Sequence, residues 1–347
     1  MVIRFVLITA LLSLLLPPSV QATDAADECL PANARRTFMQ LFFKDAQLSQ
    51  DAVERRFAAL ENAGFEEVIL QWSSYDHLSL YPFSRAGGQV EMVLPKIIDA
   101  ARNHHIRIWM GTHYDNGFWE IAEGSPRQAR QWFSRQLELL KRRLPVLIDT
   151  VRHSDPEQQV VIGWYISDEI DDQSWGSKYK RRELQEYLHQ VVDLLRNGMP
   201  GWPVAISGFS SAAMTPAELA AFWSETLAAT GIDTLLFQDG IGVGNLTQEQ
   251  FSRYASRLAV LNSGRPGSFS VVVELFEKVG DGKDGSMKLR TAAAERVLRQ
   301  LAETMVFAAD GITLFSAPDY MLDDGDRRAR RLLKMWQRAA HNCGKVE

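Results

Sequence analysis

The chain has 347 residues, with 38 Lys and Arg against 43 Asp and Glu, a formal net charge of -5, and basic residues scattered along its length. Such mild acidity excludes the concentrated basic face that a nucleic-acid partner needs. The ordinary globular composition, without a low-complexity tract, excludes a fibrous or disordered chain.

At the N-terminus, Arg4 precedes an apolar run from Phe5 to Leu16, then Pro17-Pro18 and a Val20-Gln21-Ala22 cleavage pattern. This reads as a secretory signal peptide over residues 1–22. The run is shorter than the roughly 20 residues of a membrane span. No later stretch is long and uncharged enough to cross, so no stable membrane insertion is expected after cleavage. An uncleaved anchor is the competing reading. The expected product is a periplasmic or secreted protein of about 325 residues, a length typical of one (β/α)-barrel domain over residues 23–347. Cys29 and Cys343 lie near the two ends of that product. In an oxidising compartment they can pair, for on the order of 4 kcal/mol in the chain-entropy model.

One pattern then repeats: a short apolar strand, a polar loop, and an amphipathic segment. "TFMQLFF" (Thr37 to Phe43) is the first strand, followed by a helix that Ser49 caps and Gly64 stops. "EEVILQW" ends at Trp72 and leads to "VEMVLPKIIDAARNHH", with Pro95 near the helix start. "IRIWMGT" leads through "HYDNGFWEIAEGS" to a helix from Pro126 to beyond Leu140. "VVIGWYI" is followed by "SDEIDD" and "KRRELQEYLHQVVDLLRNG". The second half continues with "WPVAISG", "IDTLLFQ", "SFSVVVE" and "GITLFSA", each with a helix behind it; "KLRTAAAERVLRQLAETMVFAA" is read as the seventh. Near-continuous apolar strands are buried on both faces, which predicts parallel pairing. Eight strands, and no GxGxxG turn after the first, favour a closed (β/α)8 TIM barrel over an open doubly wound sheet.

In such a barrel the chemistry sits where strands pass into βα loops. The strands deliver Lys44, Gln71, Trp72, Tyr75, His113, Trp119, Asp168, Glu169, Ser207, Gln238, Asp239, Glu274, Glu277, Asp319 and Tyr320 to that rim. Carboxylates, amides and aromatic rings predominate. The histidines are scattered rather than paired at strand ends, and there is no GxSxG elbow or phosphate loop, so no metal site and no organic cofactor are expected. "DGKDGS" (Asp281 to Ser286) lacks calcium-loop spacing and is read as a flexible loop.

Carboxylates beside aromatic platforms suit glycoside cleavage. Retaining hydrolysis needs a proton-donating carboxyl and a nucleophilic one about 5 to 5.5 Å apart. Glu169 and Glu274, ending the fourth and seventh strands, are positioned to face each other across a narrow barrel. Glu277, three residues on, competes with Glu274. Asp171 and Asp172 read as loop or helix-start charges. Asp239 either binds a sugar hydroxyl, orients Glu169 or caps its loop, and His113 either contacts substrate or packs in its loop. Trp72, Tyr75, Trp119, Trp175 and Tyr320 are candidate sugar platforms, whereas Trp109, Trp164 and Trp223 read as core.

On these motifs the chain resembles glycoside hydrolase clan A, whose acid/base glutamate ends strand four and whose nucleophile ends strand seven. "LQWSSYD", "GWYISDEI", "LLFQDGIGVG" and "VVVELFE" are similar more closely to a bacterial glycosidase-like barrel family catalogued as a domain of unknown function. The resemblance implies Glu169 as acid/base and Glu274 as nucleophile. One departure stands out: clan A carries Asn before the strand-four glutamate to bind the sugar 2-hydroxyl, and this chain has Asp168. The expected protein is an exported, monomeric, retaining glycoside hydrolase acting on an oligo- or polysaccharide. The competing reading is a barrel that binds polysaccharide during export without turning it over. Cleavage by elimination would call for basic rim residues, of which Lys44 is the main one.

Overall fold

A computed structural model of the chain describes residues 34–83, 93–282, 286–307, 311–323 and 325–343. The expected leader, Cys29, the side chain of Cys343 and the middle of the Asp281–Ser286 loop lie outside the described residues.

Among the described residues, eight barrel strands alternate with eight principal helices. The strands are β1 (Arg36–Met39), β2 (Glu67–Leu70), β3 (Arg107–Gly111), β4 (Val161–Asp171), β5 (Val204–Phe209), β6 (Thr234–Gln238), β7 (Phe269–Glu274) and β8 (Ile312–Phe315). Each pairs in parallel with its chain neighbour, and β8 closes on β1. The helices are α1 (Gln50–Asn62), α2 (Val93–Asn103), α3 (Pro126–Ser154), α4 (Lys178–Gly198), α5 (Pro216–Thr230), α6 (Gln248–Leu258), α7 (Ala294–Met305) and α8 (Arg327–Cys343). The chain therefore forms the (β/α)8 barrel that its strand count and apolar strands imply.

Local sequence explains the helix starts. Ser49 accepts from the Ala52 N–H at the head of α1, as its type at that position predicts. Capping boxes start α3 (Ser125 and Gln128), α5 (Thr215 and Glu218) and α6 (Thr247 and Gln250).

Apolar side chains divide into two sets. Phe38, Ile69, Trp109, Tyr165, Ala205, Leu236 and Val272 fill the barrel interior. A larger set, including Val271 and Val273, packs strands against helices. Side chains alternate along a strand, so the residues two past Ile69, Ala205, Leu236 and Val272 also point inward, at the C-terminal opening. Those residues are Gln71, Ser207, Gln238 and Glu274. β4 reaches the same level by an irregularity: its register with β5 passes from Ile166↔Ile206 to Glu169↔Ser207, which places two extra residues, Ser167 and Asp168, between. Bulges of this sort re-aim side chains at barrel rims.

Three expectations are corrected. β1 ends at Met39, and Phe42 and Phe43 are exposed at 37% and 60% where a short 3-10 turn leaves the barrel. Residues 288–291, read as the head of the seventh helix, instead belong to a strand, Met287–Thr291, that pairs antiparallel with Phe276–Asp281 in a hairpin standing on the rim. Asp171 and Asp172 are not surface charges, since they are 3% and 1% exposed.

Candidate active site

Glu169 sits half-buried at the opening. Its Oε1 accepts from Gln238 Nε2 of β6 at 2.9 Å and from Gln71 Nε2, just past β2, at 3.4 Å. Burial pushes this carboxyl up to about 7, against the Gln238 donor, which favours the ionised form. Because both amides address Oε1, a proton on the carboxyl belongs on Oε2.

Glu274 is only 3% exposed. Its Oε2 accepts from the backbone N–H of Gly242 at 2.6 Å and of Val243 at 3.2 Å, both in the loop after β6. A Cβ at position 242 would lie 2.3 Å from the Phe276 carbonyl and 2.7 Å from Glu274 Oε2, so the clamp requires glycine. Behind it, Asp239 Oδ2 accepts from the Glu274 N–H at 3.3 Å and from Gln300 of α7 at 2.6 Å. Burial, then the Asp239 charge, raises the Glu274 carboxyl; burial raises Asp239 as well. Two carboxyls so placed favour holding one proton between them. Arg296 of α7 donates to the carbonyls of Glu274 and Phe276, bracing the strand end.

An aromatic wall stands on the β1, β2 and β3 side. Ser74–Tyr75 pairs with His113–Tyr114 and with Leu78–Ser79 in a small rim sheet, and Ser74 Oγ meets His113 Nδ1 at 3.0 Å. Tyr75 and Tyr114 stack at 5.7 Å, Tyr114 stacks on Trp72 at 5.6 Å, and Trp119 Nε1 donates to the Tyr114 hydroxyl at 2.9 Å. The Glu169 charge, after burial, helps raise the Tyr114 phenol, so the wall lies beside that glutamate. On the β8 side, next to β1, burial and then the Asp319 and Glu274 charges push Tyr320 up to about 12.

The expected site residues fall into two groups. Glu169, Gln238, Tyr75, His113, Trp119 and Tyr320 are half-buried around the opening, with Glu274 clamped at its inner edge. Trp175 is not a sugar platform: it is fully buried against Phe118 and Phe133, under the ammonium of Lys180. Trp72 is 3% exposed, its indole N–H spent on the Leu41 carbonyl, so it supports the wall from behind. Asp168 turns to the helix layer, where Tyr187 of α4 donates to its Oδ2 at 3.0 Å. Burial pushes Asp168 up to about 7, against that hydrogen bond and with help from Asp115. Asp239 is fully buried and backs Glu274 rather than facing substrate. Glu277 lies in the hairpin, bonded to Arg290 and Arg328; despite burial, which raises it, these partners hold it below the usual carboxylate range.

Four further side chains at the opening were not singled out from sequence. For Gln71, a rim residue in sequence, the spacing of two from Ile69 is the signal for an inward role. Phe42 looked like strand; Phe209 and Phe315, half-buried at the ends of β5 and β8, looked like apolar strand residues.

Residues 36–326 match the family described as a domain of unknown function, DUF4434. The chain belongs to that family. A relative described as the uncharacterized protein YbcH of Escherichia coli K12 is 30% identical over 247 residues, 71% of this chain and 77% of its own length. Among solved structures, a candidate alpha-L-fucosidase from Bacteroides thetaiotaomicron superposes with a TM-score of 0.68 at 17% identity, covering 92% of this chain and 96% of that one. A beta-galactosidase from Marinomonas ef1 gives 0.54 at 9% identity, covering 90% and 59%. A family 39 glycoside hydrolase from Bacteroides cellulosilyticus gives 0.50 at 12% identity, covering 93% and 65%. This DUF4434 barrel thus shares the fold of glycosidase barrels.

Proposed function

We propose that this DUF4434 protein is an exported glycoside hydrolase that cleaves O-glycosidic bonds of an oligo- or polysaccharide with retention. One observation carries the reading: Glu169 and Glu274 are inward-facing at the ends of β4 and β7, and two amides fix the first through a single oxygen. In the first step Glu169 Oε2 gives its proton to the leaving oxygen as the bond to the anomeric carbon breaks, and the ionised Glu274 carboxylate bonds to that carbon. In the second, Glu169 takes a proton from water, whose oxygen displaces Glu274. Substrate supplies no charge that the site must neutralise, in keeping with a rim of rings, amides and carboxyls. The likeness to glycosidase folds supports the class of reaction. The leader-like N-terminus supports a periplasmic or secreted protein.

Glu169→Gln is expected to lower turnover of unactivated glycans by about 10²- to 10⁴-fold while sparing aryl glycosides with acidic leaving groups. Glu274→Gln is expected to abolish both. Assays of purified protein on bacterial exopolysaccharides, plant glycans and aryl glycosides check this, and equal turnover in wild type and both variants refutes it. N-terminal sequencing of the exported product, expected to begin at Thr23, tests export.

A second reading has its own support. Burial and Asp239 favour a protonated Glu274, and a neutral acid does not attack carbon. On that reading the barrel binds glycan without cleaving it, and glycan would be retained in a pull-down with no reducing ends released.

A further inference from the structure

Beside the opening, between α1 and the loop after β8, lies a cavity of about 690 Å³, within the range of small-ligand sites. Phe42 forms one of its walls and also packs edge-on against Trp72 at 5.4 Å and Tyr75 at 5.8 Å. The same ring therefore ends the aromatic wall and begins the cavity. On the other side, Pro318 and Asp319 line it, and the next residue, Tyr320, feels the Glu274 charge. The cavity thus adjoins the opening at two points.

Its chemistry is balanced. Lys44, Arg55 and Arg56 share the lining with Asp45, Asp319 and Asp323. Asp45 is already held by Arg56 at 2.7 Å and by the Phe42 N–H at 2.9 Å, and Asp319 by the Ser316 hydroxyl. Three basic side chains thus face three acidic ones, a lining whose charges balance and so select neither an anion nor a metal cation. Exposed Lys44 and Arg55 add donors, Asp323 adds an acceptor, and Leu48 and Leu322 add apolar patches. Mixed donors, acceptors and apolar surface without net charge match a neutral polyol whose rings have apolar faces.

We propose that this cavity is a distal subsite for the far sugars of a neutral glycan chain that runs from Glu169 along Tyr75 and over Phe42. The proposal rests on the glycosidase reading and adds to it that the substrate is a chain longer than the opening alone can hold. Ala52, in the first turn of α1, lines the cavity and is not one of the side chains of the opening, so a bulky side chain there is expected to fill the subsite and leave the opening intact.

The test uses Glu169→Gln protein and size-fractionated cello-, xylo-, manno- and galacto-oligosaccharides of two to six units, with affinities read by calorimetry. Affinity is expected to rise at least tenfold from the shortest to the longest chain of the preferred series. Adding Ala52→Trp, or separately Arg55→Ala with Lys44→Ala, is expected to remove most of that rise while the shortest chain binds as before. In the active protein, the same substitutions should lower kcat/KM on polymer at least tenfold and leave short aryl glycosides unchanged. Binding that does not depend on length, or a rise that survives both sets of substitutions, overturns the distal subsite and leaves the glycosidase reading standing. Failure to bind any chain overturns both.

Discussion

The two amides on Glu169 make a prediction about charge rather than shape. An N–H donor on a carboxyl oxygen favours the ionised form, so losing it raises the pKa. Gln238→Met keeps the side-chain length and removes the 2.9 Å donor. On the proposed mechanism Glu169, near 7, sets the basic limb of kcat/KM, which should then move to higher pH by on the order of half a unit to one unit. Gln71→Met, removing a 3.4 Å bond, should move it less. A limb that stays put, or moves down, in a pH–rate profile would mean that another group titrates. Alternation two residues past an interior Ile69 or Leu236 makes these amides legible in the sequence, because a strand's period is rigid. Trp175 was illegible for the opposite reason. A loop aromatic carries no period, and only packing against Phe118 and Phe133 decides that it turns inward.

At the scale of elements, strands were read better than the loops that carry the site. Unbroken apolar runs such as "SFSVVVE" leave little choice but a doubly buried strand. The ends of β1 and the rim hairpin depend on contacts with other elements, for example the Lys278 N–H donating to the Gly242 carbonyl at 2.7 Å. Asp172 is a case where a charge read as solvated organises a whole loop. Its carboxylate accepts from Ser210 Oγ (2.7 Å) and from the N–H groups of Ser211 (2.8 Å), Ala213 (3.1 Å) and Met214 (3.0 Å), fixing the connection from β5 to α5. Asp172→Ala leaves those donors without an acceptor and should cost about 2–4 kcal/mol. Asp172→Asn should cost nearly as much, because one amide hydrogen pair then faces donors. Urea unfolding measures both, and an Asn variant close to wild type would show that charge and acceptor count matter little there.

Across the whole molecule, the C-terminal face of the barrel gathers Asp168, Glu169, Asp239 and Glu274, all pushed upward by burial. A carboxyl whose pKa is higher folded than unfolded binds its proton more tightly in the folded state. Its contribution is therefore most favourable at low pH and is lost as pH rises through the folded value. For Asp168 the window runs from its ordinary 3.8 to about 7, a span that corresponds to on the order of 4 kcal/mol at most. With Glu169, Asp239 and Glu274 shifted in the same direction, the fold should accordingly lose stability from about pH 4 upward, until the pH passes their raised values of about 7 to 8. Asp168→Asn removes the ionisation and keeps an acceptor for the Tyr187 hydroxyl. Its Tm should exceed that of wild type by roughly 5 °C at pH 8, with the gap narrowing toward zero below pH 4. Scanning calorimetry of both proteins across that range decides it: a gap that widens on acidification would mean that Asp168 is ionised and stabilising in the folded barrel.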